Sequence, residues 1–146
     1  MDQDLQHPLS CVNNNLHRTA RAVNKVYAEL LAPLNLKRAQ FSVLAVLVTL
    51  GDSSIAKIAD GLELDRTTLS RIIKPLLTKG LLKSRSSKAD ARVKVLSVTP
   101  AGRELFVAAF GLWKEAQAKV LDAFGDERWR RMLDELEALR GAVREV

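Results

Sequence analysis

The stretch IAKIADGLELDRTTLSRIIKPLLTKGLL, residues 55–82, carries the pattern on which the fold of this chain turns. Ile55 to Leu62 suits a short helix capped by Ser54, and beyond a tight turn Asp65 is placed to cap a second helix that begins at Arg66. At about 3.6 residues per turn, Leu69, Ile72, Ile73, Leu76 and Leu77 share one face of the second helix, which must pack on Ile58, Ala59 and Leu62 of the first. The opposite face holds Arg66, Thr67, Ser70, Arg71 and Lys74, with no acid after Asp65. Pro75 removes the hydrogen bond to the Arg71 carbonyl, at roughly 3 kcal/mol in a regular helix interior. A bend is therefore expected between a reading half, 66–74, and an anchoring half, 76–79. Gly80 reads as the stop.

Downstream the pattern becomes extended. Leu81 to Arg85 and Arg92 to Val98 read as two strands joined by the polar loop SSKADA. Two short helices, a tight turn and a two-stranded hairpin together make a winged helix-turn-helix. Arg85, Lys88, Arg92 and Lys94 fall at or near the tip of the wing, and Asp90, its one acid, is expected either to orient Arg92 or to form the turn. Further out, Val12–Leu31 repeats apolar residues at three- and four-residue steps until Pro33, and a second helix covers about Lys37 to Leu50. Thr99 can cap, and Pro100 can open, a long helix to about Phe124, with a last one from about Glu127 to Val143. The expected fold is mainly α: six helices plus a two-stranded β wing, with residues 35–99 as the winged head between helical segments 1–34 and 100–146.

Charge singles out the head. The chain carries a net +6, and residues 65–94 hold nine cations against two acids, so this one segment supplies all of the excess. Charge concentrated on one face points to a polyanion. Arginine can bond a guanine edge with two donors, Thr and Ser hydroxyls serve bases or phosphates, and lysine meets phosphate. An arginine at the wing can enter a minor groove. A winged helix that binds protein instead is the alternative; it would need an apolar recognition face rather than these cations.

The rest of the inventory narrows the class. The start MDQDLQHPLS lacks the basic and apolar regions of a secretory signal and no apolar run is long enough to span a bilayer, so a cytoplasmic protein without membrane partners is expected. A single cysteine, Cys11, rules out an internal disulfide framework or an all-cysteine metal cage. His7 and His17 lie ten residues apart, and no glycine-rich phosphate loop follows a strand. No metal, no cofactor and no catalytic activity are expected.

Three stretches resemble the MarR family of bacterial transcriptional regulators: LNLKRAQFSVLAVL, the quoted segment 55–82, and KADARVKVLSVTPAGREL, where the wing runs into the fifth helix. The Asp-x-Arg element followed by Leu-Ser-Val-Thr-Pro-Ala-Gly is the most specific of them. The resemblance implies a homodimer whose first, fifth and sixth helices interlock and whose recognition helices meet successive major grooves of a pseudo-palindromic operator. It implies that Arg66, Thr67, Thr68, Ser70 and Arg71 fall on the reading helix and that Arg92 sits at the wing. Glu63 departs from the pattern, standing in a turn where relatives often have glycine, and so implies a strained backbone or an altered turn.

Apolar stripes on the outer helices, from Leu105 to Phe124 and from Trp129 to Val143, agree with an interface between two copies. The resemblance also implies release from DNA by a small molecule, often phenolic, or by oxidation of a cysteine near the first helix. Cys11 stands at that position as a possible redox sensor. A pocket between the first, second and fifth helices, with Phe110 and Trp113 as aromatic walls, is the possible effector site. Repression is the expected outcome, because a compact dimer over a promoter blocks polymerase without further parts.

Overall fold

The computed structural model describes residues 3–145. The extreme ends of the two outer segments, residues 1, 2 and 146, lie outside the described residues. Short 3-10 turns at Gln3–Gln6 and Pro8–Ser10 lead into helix α1, Val12–Leu31, which ends in a 3-10 turn, Ala32–Leu34, containing Pro33. Asn35, at φ 49°, redirects the chain into α2, Arg38–Leu50; Asn tolerates this left-handed conformation better than most residues. After Gly51, strand β1 (Ser53–Ser54), helix α3 (Ile55–Gly61) and helix α4 (Arg66–Thr78) follow in quick succession. Strands β2 (Leu82–Ser86) and β3 (Lys94–Val98) form the wing, and helices α5 (Pro100–Phe124) and α6 (Asp126–Arg144) complete the chain.

The caps read from the sequence are in place. Ser54 accepts from the Lys57 backbone N–H at 3.2 Å and Asp65 from that of Thr68 at 2.8 Å. Gly80 adopts φ 68°, which lets the Leu81 N–H reach the Leu76 carbonyl at 2.9 Å and closes α4. The helical run is continuous across Pro75, so the two halves expected on either side of it form one element.

The sheet differs from the expected two-stranded wing. It has three strands in the order β1-β3-β2, with Ser53 opposite Leu96 and Ser54 opposite Val95. A two-residue strand is too short to show alternation, and its partner is distant in sequence, so no local pattern announces it. Strand β3 also begins at Lys94 rather than Arg92, because the Arg92 and Val93 N–H groups both turn back to Asp90.

The core lies in the head. Val43, Leu44 and Leu47 of α2, Ile58 of α3, Leu69, Ile73 and Leu76 of α4, and Leu82 and Leu96 of the sheet are all buried together. The junction with α5 is specified closely. The Thr99 hydroxyl accepts from the Gly102 N–H at 3.1 Å and donates toward the Gly80 carbonyl at 2.7 Å. A Cβ on Gly102 would lie 2.0 Å from the Leu81 carbonyl oxygen, so only glycine fits there. That is the physical content of Thr-Pro-Ala-Gly: a cap, a helix-opening proline and a close approach to the end of α4.

The outer helices are left open. Val12 and Leu16 of α1, Val107 and Phe110 of α5, and Met132, Leu133 and Val143 of α6 are exposed, and α6 has no buried residue. Among the described residues no single helix is long and apolar enough to cross a membrane.

Candidate nucleic-acid interface

Helix α4 presents its polar face because Leu69, Ile73 and Leu76 fix the opposite one in the core. Arg66, Thr67, Ser70, Arg71 and Lys74 are all exposed. The Ser70 hydroxyl donates to the Arg66 carbonyl at 2.7 Å, which leaves its oxygen free to accept. Thr68 is different: half-buried, it donates its hydroxyl to the Asp65 carboxylate at 2.6 Å. Its hydroxyl hydrogen is thus engaged in the cap of α4. The Thr68 hydroxyl, then its backbone N–H, hold the Asp65 carboxyl below its ordinary value of 3.8.

On the wing the four cations separate into distinct roles. Arg85 pairs with Asp52 at 3.1 Å and so ties β2 to the loop before β1. The Ser97 hydroxyl, then Arg85, lower the Asp52 carboxyl from its ordinary value of 3.8; Ser97 forms no bond of normal geometry, so Arg85 is the formed partner. Lys94 donates to the Ser86 hydroxyl at 3.1 Å across the two strands. Lys88 and Arg92 are exposed, and neither has an acid partner among the described residues. Asp90 does not reach the Arg92 guanidinium. Its carboxylate accepts from the Arg92 backbone N–H at 2.9 Å, a turn-forming contact that fixes where Arg92 leaves the hairpin.

Helix α4 and the wing meet at a cleft of about 310 Å³ whose polar lining is Ser54, Arg66, Ser70, Arg92 and Lys94. Arg66 comes from the first turn of α4, Arg92 and Lys94 from the wing. Three cations and two hydroxyls around one open cleft can hold a phosphate between elements that would lie in neighbouring grooves. The sequence singled out these residues without indicating that they share a cleft.

A second cavity, of about 520 Å³, opens between α1, α2 and α5. Phe41, Phe106, Phe110 and Trp113 stack along it, with Phe110 and Trp113 nearly parallel at 5.5 Å. Arg38 is its one cation, and the Tyr27 hydroxyl, whose pKa is raised by burial, donates to Gln117. Phe41 and Arg38 were not foreseen as walls; they lie on α2, whose apolar run reads as core.

Cys11 is exposed at the start of α1 and makes no capping bond with its side chain. Among the described residues no hydrogen bond or ion pair joins it to His7, His17 or Arg18. The His7 ring instead accepts from the Leu9 N–H at 3.2 Å.

The MarR family model matches residues 36–94. The chain is 32% identical over 101 residues to YxaD, an HTH-type transcriptional regulator of Bacillus subtilis, across 69% of this chain and 62% of that protein. The chain thus spans somewhat less than two thirds of that relative's length. Among solved structures, M. tuberculosis MosR in complex with DNA is 33% identical, with 92% of this chain and 98% of that one covered at a TM-score of 0.79. Bordetella bronchiseptica BpsR, whose DNA binding is regulated by 6-hydroxynicotinic acid, shares the fold at 21% identity and a TM-score of 0.84, over 92% of this chain and 96% of that one.

Proposed function

The chain belongs to the MarR family of DNA-binding transcriptional regulators, and from that premise we propose that two copies grip one pseudo-palindromic operator and repress transcription from it. The observation that carries this is the continuous cationic surface of α4 and the wing, in which Arg66, Arg71, Lys74, Lys88 and Arg92 have no acid partner among the described residues. Arg71, Thr67 and Ser70 read base edges in the major groove, Arg66 and Lys94 hold a phosphate in the cleft, and Arg92 enters the minor groove. Lys74 and Lys88 meet phosphates. Thr68, Asp90 and Arg85 support this surface through the contacts described above. The outer segments, 1–34 and 100–146, supply the homodimer that spaces two heads, 35–99, along the duplex. Such a regulator works in the cytoplasm, where the DNA is.

The aromatic chamber is the effector site in this reading. Its stacked rings suit a flat aromatic molecule, and Arg38 suits an anionic group on it. Release by oxidation at Cys11 is the second route; identical peroxide titrations of operator binding for wild type and Cys11→Ser would end it.

The test of DNA reading is a pair of substitutions. Arg71→Ala should cost roughly 1 to 3 kcal/mol on the operator and relax preference at one base position, while Lys88→Ala weakens all sequences alike. Equal loss on operator and random duplex for Arg71→Ala would confine Arg71 to phosphate contact. Affinity indifferent to salt would favour a protein partner instead.

A further inference from the structure

Glu63 stands in the turn between α3 and α4 at φ 51°, the left-handed region that a side chain occupies at a cost. Its carboxylate accepts from the Arg144 guanidinium at 2.6 Å, a bond that spans 81 positions in the chain. Arg144 is the last residue of α6, the helix that buries none of its own side chains. The end of α3 and this turn, through Asp60, Gly61 and Leu62, face Glu137 and Arg140 of α6 across an open crevice, and those two pair with each other. The far end of the outermost helix thus reaches back to the helix-turn-helix and touches it at the left-handed residue of the turn between α3 and α4.

We propose that Glu63 and Arg144 are positioning residues for DNA recognition: their ion pair braces the reading head against α6, and so helps to set the separation of half-sites that two heads accept. The inference rests on the operator-binding dimer proposed above. Both partners are more than half exposed, at 56% and 68% for Glu63 and Arg144, so the pair contributes little to folding. Its effect is geometric. Joining a turn in the head to a helix outside it limits rocking of the head about its two covalent links, the turn between α1 and α2 and the start of α5, and rocking would change half-site separation without changing base contacts. A glycine at position 63 would relax the backbone and abolish the brace together, so a lost spacing preference without lost stability separates this role from a purely structural one.

The experiment uses the full-length chain and a duplex selected by the wild type from genomic fragments, alongside duplexes with one base pair inserted or removed at its centre. Glu63→Gly and Arg144→Gln should each reduce the preference for the selected spacing by about two- to fivefold. Dimerisation should stay unchanged, and the melting temperature should hold in Arg144→Gln and rise slightly in Glu63→Gly as the backbone relaxes. The double variant should be no worse than either single one, and Arg144→Lys should keep the preference. The charge-reversed pair, Glu63→Arg with Arg144→Glu, should restore it. Unchanged spacing preference in Glu63→Gly and Arg144→Gln, with duplex binding intact, overturns the brace alone. Failure of the wild type to bind any duplex overturns the operator reading, and the brace with it.

Discussion

The head and the outer helices draw on the same apolar residue types and finish with opposite surfaces. In the head, Leu44, Ile58, Leu69, Leu76 and Leu96 lose essentially all contact with solvent, because helices α2 to α4 and the sheet, together with Leu31 of α1 and the face of α5 around Ala109, close over the core they belong to. In the outer region the stripes of α1 and α6 have the same helical spacing but face outward, with Leu133 still 44% exposed. The difference teaches that periodicity reports amphipathicity, and that only topology decides whether the apolar face is satisfied within one chain. The apolar faces of the head are covered within the chain, with Leu31 of α1 and Ala109 of α5 joining its core, whereas those of α1 and α6 are left open.

Substitutions that separate the two regions test this contrast. The largest effect should come from Gly102→Ala, which forces a methyl group against the Leu81 carbonyl where the head joins α5. We expect a loss of about 3 kcal/mol in chemical denaturation; a loss under about 1 kcal/mol would mean that the junction yields. Next comes Leu133→Glu on the open face of α6. It should raise the dimer dissociation constant roughly tenfold or more, measured by sedimentation, with the melting of the head unaltered. Unfolding of the head by this change would show that the arm is part of the same core.

The smallest effect is on pH dependence. The Asp65 carboxyl is held below 3.8 by Thr68, so its folded value lies below the unfolded one. The cap therefore stabilises α4 above about pH 4 and is lost as pH falls through the depressed folded value. Asp65→Asn keeps a capping oxygen and should flatten acid unfolding in that range, with little change at neutral pH. An acid limb identical to that of the wild type would show that other carboxylates carry it.

Much of the head was legible in the sequence because its signals are local. Leu69, Ile73 and Leu76 repeat at helical steps, Ser54, Asp65 and Thr99 cap, and Gly80 stops. What the sequence missed is long-range. Ser53–Ser54 joins the sheet through residues more than forty positions away, Asp52 meets Arg85, and Glu63 meets Arg144. None of these pairs leaves a periodic trace. The candidate site shows the same division. The basic face of α4 can be read from a wheel, whereas the bond from the Thr68 hydroxyl to Asp65 cannot, because helical position says nothing about where a hydroxyl finds its acceptor. Asp90 reads from the sequence either as orienting Arg92 or as forming the turn, and its carboxylate accepts from the Arg92 backbone N–H, a turn contact within reach of a residue two positions earlier.

The most direct test of the account is the stoichiometry of the complex, measured by sedimentation of the full-length chain with a selected duplex over a salt series. The account predicts two chains on each duplex, with log affinity falling by about 0.9 per log unit of salt for every phosphate contacted. One chain per duplex, or an affinity indifferent to salt, would contradict it.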